Sequence, residues 1–147
     1  MGVSGSNGPV LALALPATAR SIREARSFAV GAVASWGLPA LGDVVALLVS
    51  ELATNSVLHA RTPYEVVVVR TGDTVRVTVL DDAPRGPQRR RHSLRATTGR
   101  GLGLVEVLST AWGRTAAADL RGRAKGVWFE LPTDPALLPE PADGAIG

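Results

Sequence analysis

Glu51-Leu52-Ala53-Thr54-Asn55-Ser56-Val57-Leu58-His59-Ala60 closes a long apolar run that begins near Leu41. At about 100° per residue, Glu51, Asn55 and His59 fall on one stripe of a helix. That stripe has apolar neighbours: Val44 lies about 20° from Glu51, Leu58 about 20° the other way, and Leu48 about 60° away. A carboxylate and an amide are therefore set into an apolar face. Buried polar groups need partners, and the helix alone leaves open whether the protein or a ligand supplies them.

Working outward, the helix is expected to run from Gly42 or Asp43 to Ala60. Before it, Val10–Leu15 reads as a short strand stopped by Pro16. Ser21-Ile22-Arg23-Glu24 has the capping-box pattern, at or just inside the start of a helix with Ile22, Ala25, Ala29, Ala32, Val33 and Trp36 on its apolar face. Gly37 and Pro39 end that helix. After Pro63 the period becomes extended. Residues 64–70 are a β-branched run, 71–73 carry turn chemistry, and 74–81 alternate, which predicts an antiparallel hairpin. Asp81 shares parity with Val75, Val77 and Val79 and so points to the core side of its strand.

Residues 82–100 hold no period, and a loop of that length in a compact domain is either functional or disordered. A short helix is expected from Leu104 to Trp112, closed by Gly113. A final hairpin, 114–120 with 126–131, is expected across Arg121-Gly122-Arg123. The expected organisation is a disordered leader over 1–9, one domain over 10–132 and a flexible tail over 133–147.

The 147 residues suffice for one domain with a real core, and 46% hydrophobic with 20% charged residues suits a soluble globular chain. No apolar run reads as a membrane span, and the first residues lack the charge and apolar core of a secretory signal. Zero cysteines exclude disulfides and thiolate metal sites, and a cytoplasmic address is expected. Net charge is +3, and Lys125 is the one lysine among sixteen basic residues. Sign clustering, not that balance, would point to nucleic acid.

A glycine run opening a helix can hold an anion on free backbone N–H groups, and Gly99-Arg100-Gly101-Leu102-Gly103-Leu104 is such a run. Its spacing fits neither the lysine-bearing phosphate loop nor the dinucleotide fingerprint. Three signals thus stand in order: Glu51…Asn55 on a helix, Asp81 ending a strand, and Gly101-x-Gly103 opening a helix.

In that order the motifs resemble the Bergerat-fold ATPases, the superfamily of gyrase, the heat-shock chaperone and histidine kinases. Residues 51–60 resemble its N box, Val79-Leu-Asp81-Asp82 its first glycine box, 99–105 with Trp112-Gly113 its second, and 125–131 its closing strand. The E-L-x-T-N…H-A form resembles the bacterial anti-sigma factor/serine-protein kinase branch, the RsbW- and SpoIIAB-like proteins. The resemblance covers about residues 10 to 132. It implies an α/β (α+β) two-layer sandwich, with a mixed, mostly antiparallel sheet covered on one face by three helices.

It also implies chemistry. Asn55 would offer its oxygen to Mg²⁺, which prefers hard oxygen ligands. Asp81 would accept the adenine amino proton. Gly101, Leu102, Gly103 and Leu104 would hold the phosphates of ATP, with Arg100 and Lys125 adding charge. Glu51 would act as general base toward the attacking hydroxyl. The implied activity is a serine/threonine-protein kinase in transcription regulation. Its implied partners are an anti-anti-sigma (STAS) protein and a sigma factor, and family members often form dimers.

The sequence departs from the family pattern at two places. Asp81-Asp82-Ala83-Pro84-Arg85 lacks the glycines of D-x-G-x-G, and Gly126 stands where the family usually carries a threonine whose hydroxyl is expected near the phosphates. Two rival readings stay open: an ATP-gated protein-binding module without kinase activity, and a nucleic-acid binder. The second would use Arg85, Arg89, Arg90, Arg91, Arg95 and Arg100, which otherwise form a lid. His59 is expected as a packed or capping side chain.

Overall fold

The computed structural model describes residues 9–84 and 103–140. Strands β1 (Val10–Leu15), β2 (Tyr64–Thr71), β3 (Thr74–Asp81), β4 (Ala111–Arg114) and β5 (Lys125–Pro132) form one sheet in the order β1-β2-β3-β5-β4. All four pairings are antiparallel. Helices α1 (Ala19–Ser35), α2 (Gly42–Asn55) and α3 (103–108) accompany it, giving the expected two-layer α+β architecture.

Local chemistry sets the element starts. Thr18 caps α1, its hydroxyl accepting from the Ser21 N–H. Ser21 therefore lies inside the helix, fully buried. Its hydroxyl donates to the Thr18 carbonyl at 2.8 Å and lies 2.6 Å from the Tyr64 hydroxyl. Since the serine proton is directed at Thr18, the Tyr64 hydroxyl donates. This bond pins the start of α1 to the start of β2.

Valines of alternating parity make the core. Val66 and Val68 of β2, Val75, Val77 and Val79 of β3, and Phe129 and Leu131 of β5 are buried against α1 and α2. Burying such a side chain contributes roughly 1.5–3 kcal/mol, several times an exposed ion pair at about 0–1 kcal/mol. The core therefore dominates over the Arg–Glu contacts at the rim. Pro39–Ala60 is long and apolar enough to cross a membrane by length and composition, contrary to the sequence reading. In the fold, Val45, Leu48, Val49, Leu52 and Ala53 of this segment are buried in the core cluster.

Two elements differ from expectation. Helix α3 stops at residue 108, short of Trp112, and the strand before the last turn is Ala111–Arg114, not 114–120. The apolar period of 104–112 continues past the true helix end because Trp112 pairs with Phe129 instead. The Trp128 ring lies over Gly113, 3.1 Å from where a side chain's Cβ would sit. Its indole N–H donates to the Arg114 carbonyl at 3.1 Å. Beyond β4, 117–119 form a 3-10 turn. In the expected tail, Thr133 donates to the Asp73 carbonyl at 2.8 Å, and Asp134 caps a 3-10 turn at Pro135–Leu137.

Candidate functional site

The organising helix changes character where its motif is richest. Regular α-helix ends at Asn55, and Ser56–Ala60 form a π-helical turn closed by Arg61 in the left-handed region at φ 57°. The Arg61 N–H donates to the Ser56 carbonyl at 2.7 Å. Such turns are frequent at functional positions. The wider turn breaks the stripe after Asn55, so the 100° rule does not carry to His59. His59 is exposed and not packed, and Leu58, read as an apolar neighbour, is 56% exposed.

Glu51 and Asn55 stay one helical turn apart, both partly buried. Among the described residues, neither side chain takes a hydrogen bond or an ion pair.

Asp81 lies at the end of β3, 7% exposed. Its Oδ1 accepts from the Ala83 N–H at 3.0 Å, and its Oδ2 accepts from the Ser56 hydroxyl at 3.3 Å. Lys125 is its directly opposite residue on β5, with Nζ 3.7 Å from Oδ1. A carboxylate offers about four acceptor positions. Among the described residues, Ala83 and Lys125 address Oδ1 and Ser56 addresses Oδ2, which leaves one position on Oδ2 for a donor. A buried anion so arranged is compensated but not saturated.

Ser56 is the residue that sequence reasoning missed. It falls about 140° from Glu51 on the helical wheel, on the buried side beside Leu52, so a hydroxyl there had to find a partner. A second tie closes the same corner: the Asp82 N–H donates to the Thr62 hydroxyl at 3.0 Å. The box that lacks its glycines thus uses Asp82 and Ala83 backbone N–H groups to fix the loop and the carboxylate.

Gly126 is not part of this site. It stands opposite Leu80, one residue out of phase with Asp81, so any side chain there would project from the outer face of the sheet. A Cβ would come within 2.7 Å of Thr115 Oγ1 and closer still to Leu80 Cδ2. The threonine hydroxyl expected near the phosphates could not reach the Asp81 side from this position. On that outer face lies a separate cavity of about 660 Å³, lined by residues that include Arg76, Thr78, Leu80, Thr115 and Arg121.

Of the other predicted site residues, Gly103 opens the described part of α3, and Leu104 packs partly buried against the core. Arg100, Gly101 and Leu102 lie outside the described residues, as do Arg85, Arg89, Arg90, Arg91 and Arg95.

The model of the histidine kinase-like ATPase domain family matches residues 15–119. The matched stretch contains Glu51, Asn55, Ser56 and Asp81 and stops before β5, which carries Lys125. No curated protein matches the chain.

Proposed function

Because the chain belongs to the histidine kinase-like ATPase domain family, we propose that it is a Mg-ATP-binding regulatory protein of the anti-sigma factor kind. On this reading it is a serine/threonine-protein kinase acting on a serine of an anti-anti-sigma (STAS-type) partner, with residues 10–132 as the ATP-binding domain. It works in the cytoplasm and can engage a sigma factor or a second copy of itself. The observation that carries the reading is the buried Asp81 carboxylate, held by Ser56 and Ala83 with one acceptor position left. The exocyclic amino group of adenine is a donor of the kind it lacks.

The remaining residues fit the group. Among the described residues no three His, Cys, Asp or Glu side chains cluster as a metal site. A Mg²⁺ ion needs no such cluster, because it keeps waters and phosphate oxygens and takes one or two protein ligands. Asn55, whose side chain takes no hydrogen bond among the described residues, would supply one oxygen. When bound, the ion neutralises phosphate charge. Glu51, one turn earlier, would take the proton of the attacking serine hydroxyl. Phosphoryl transfer is governed by positioning and charge neutralisation, so no covalent enzyme intermediate is needed. Gly101, Leu102, Gly103 and Leu104 would present backbone N–H groups to the phosphates, with Arg100 beside them.

Calorimetry of Mg-ATP binding to wild type, Asn55→Ala and Asp81→Asn tests the site: affinity drops in both variants, and unchanged affinity in both sinks the assignment. Phosphate transfer to the partner serine is lost in Glu51→Ala. A second reading, a nucleotide-gated binding module, is favoured by the missing first-box glycines at Ala83 and Arg85. It keeps ATP and partner binding and yields no phosphorylated product.

A further inference from the structure

Lys125 was read from the resemblance as added charge for the phosphates, but its place in the sheet directs it elsewhere. It faces Asp81 across the β3–β5 ladder, and its ammonium stands 3.7 Å from Oδ1. The Lys125 side chain is 25% exposed, whereas that of Asp81 is 9% exposed. The cation is the more exposed member of the pair. An ammonium has three donors, and among the described residues one contact, with Oδ1, leaves two free.

We propose that Lys125 reads the base and not the phosphates: its ammonium donates to ring nitrogen N1 of adenine while Asp81 accepts from the adjacent amino group. This rests on the nucleotide-site reading above. The adenine edge presents an amino donor next to the N1 acceptor. Asp81 and Lys125 present an acceptor next to a donor, on neighbouring strands and on the same face. The pair is complementary to that edge in both positions, where the carboxylate alone matches one. Ser56 and Ala83 hold the carboxylate still, so the ammonium drawn to it has a fixed reference. Lys125 is thereby a specificity-determining residue of the site.

The test is calorimetric binding of Mg-ATP, of Mg-1-deaza-ATP, in which carbon replaces N1, and of adenosine to wild type, Lys125→Met and Lys125→Ala. Thermal melts confirm that each variant is folded, and the smaller alanine serves where methionine disturbs the fold. A hydrogen bond from a charged donor predicts that wild type binds 1-deaza-ATP roughly tenfold more weakly than ATP. In the Lys125 variants the two nucleotides bind alike. A Lys125 loss that weakens both nucleotides by one factor and spares adenosine assigns the lysine to the phosphates and overturns the inference. So does a loss that changes neither nucleotide, which makes the lysine a counter-ion of Asp81 only. ATP binding that is absent, or indifferent to Asp81→Asn, overturns the site reading itself and this inference with it. Binding that needs Asp81 without discriminating 1-deaza-ATP overturns the inference alone.

Discussion

The Ser56 hydroxyl donates to Asp81 Oδ2 across 3.3 Å, joining the first residue of the π-helical turn to the last residue of β3. Both residues are buried, at 2% and 7% exposure. The bond crosses the two layers of the fold, from the end of α2 to the end of β3.

Removing this hydroxyl leaves a buried carboxylate oxygen short of a donor. Ser56→Ala is expected to lower stability by about 1–3 kcal/mol and to weaken Mg-ATP binding, because the carboxylate loses its orientation. Urea denaturation and calorimetry read the two effects. Stability equal to wild type would show that water replaces the serine at no cost.

Gly126→Ala separates packing from site chemistry. Its new methyl group meets Leu80 and Thr115, and overpacking of this kind costs about 1–3 kcal/mol. The collision lies on the outer face of the sheet, so ATP affinity is expected to stay within twofold in the folded protein. A selective loss of affinity without loss of stability would place residue 126 back in the site.

Burial pushes the Tyr64 phenol above its ordinary value of 10.0. The folded state then favours the protonated phenol more than the unfolded state does. That contribution is fully present below the unfolded pKa and is lost as pH rises through the higher folded one. Melting temperature is therefore expected to fall on the alkaline side of about pH 10 more steeply in wild type than in Tyr64→Phe. The phenylalanine variant loses about 1 kcal/mol at neutral pH through the missing bond to Ser21. Parallel alkaline profiles for the two proteins would contradict this.

The rim ion pairs are expected to contribute little. Arg121 bonds both oxygens of Glu65, at 3.3 and 3.0 Å, with a side chain 45% exposed. Arg123 bonds Asp82 at 2.8 Å and is 20% exposed. Arg121→Ala is expected to cost no more than about 1 kcal/mol, and less at high salt. Arg123→Ala is expected to cost more than Arg121→Ala. Denaturation at low and high ionic strength orders the two.

The sequence by itself determined most of the helices and strands, because period is a local property, and its resemblance to a known family implied their two-layer arrangement. The switch from helical to alternating pattern at Pro63, the parity of Val75, Val77, Val79 and Asp81, and the apolar stripe of α1 each follow from backbone geometry alone. Helix α2 and its Glu51–Asn55 stripe were legible for the same reason. What only the tertiary structure decided depends on neighbours distant in the chain. The π-helical turn after Asn55 takes His59 off the stripe, and the packing of α2 on the sheet brings Ser56 to Asp81, 25 residues away. Trp112 leaves the helical period to pair with Phe129, and the Trp128 ring lies over the neighbouring Gly113. The β3–β5 register sends Gly126 to the outer face and sets Lys125 against Asp81. A one-residue shift in that register would exchange their faces, and no pattern within residues 125–131 specifies which strand residue each will meet.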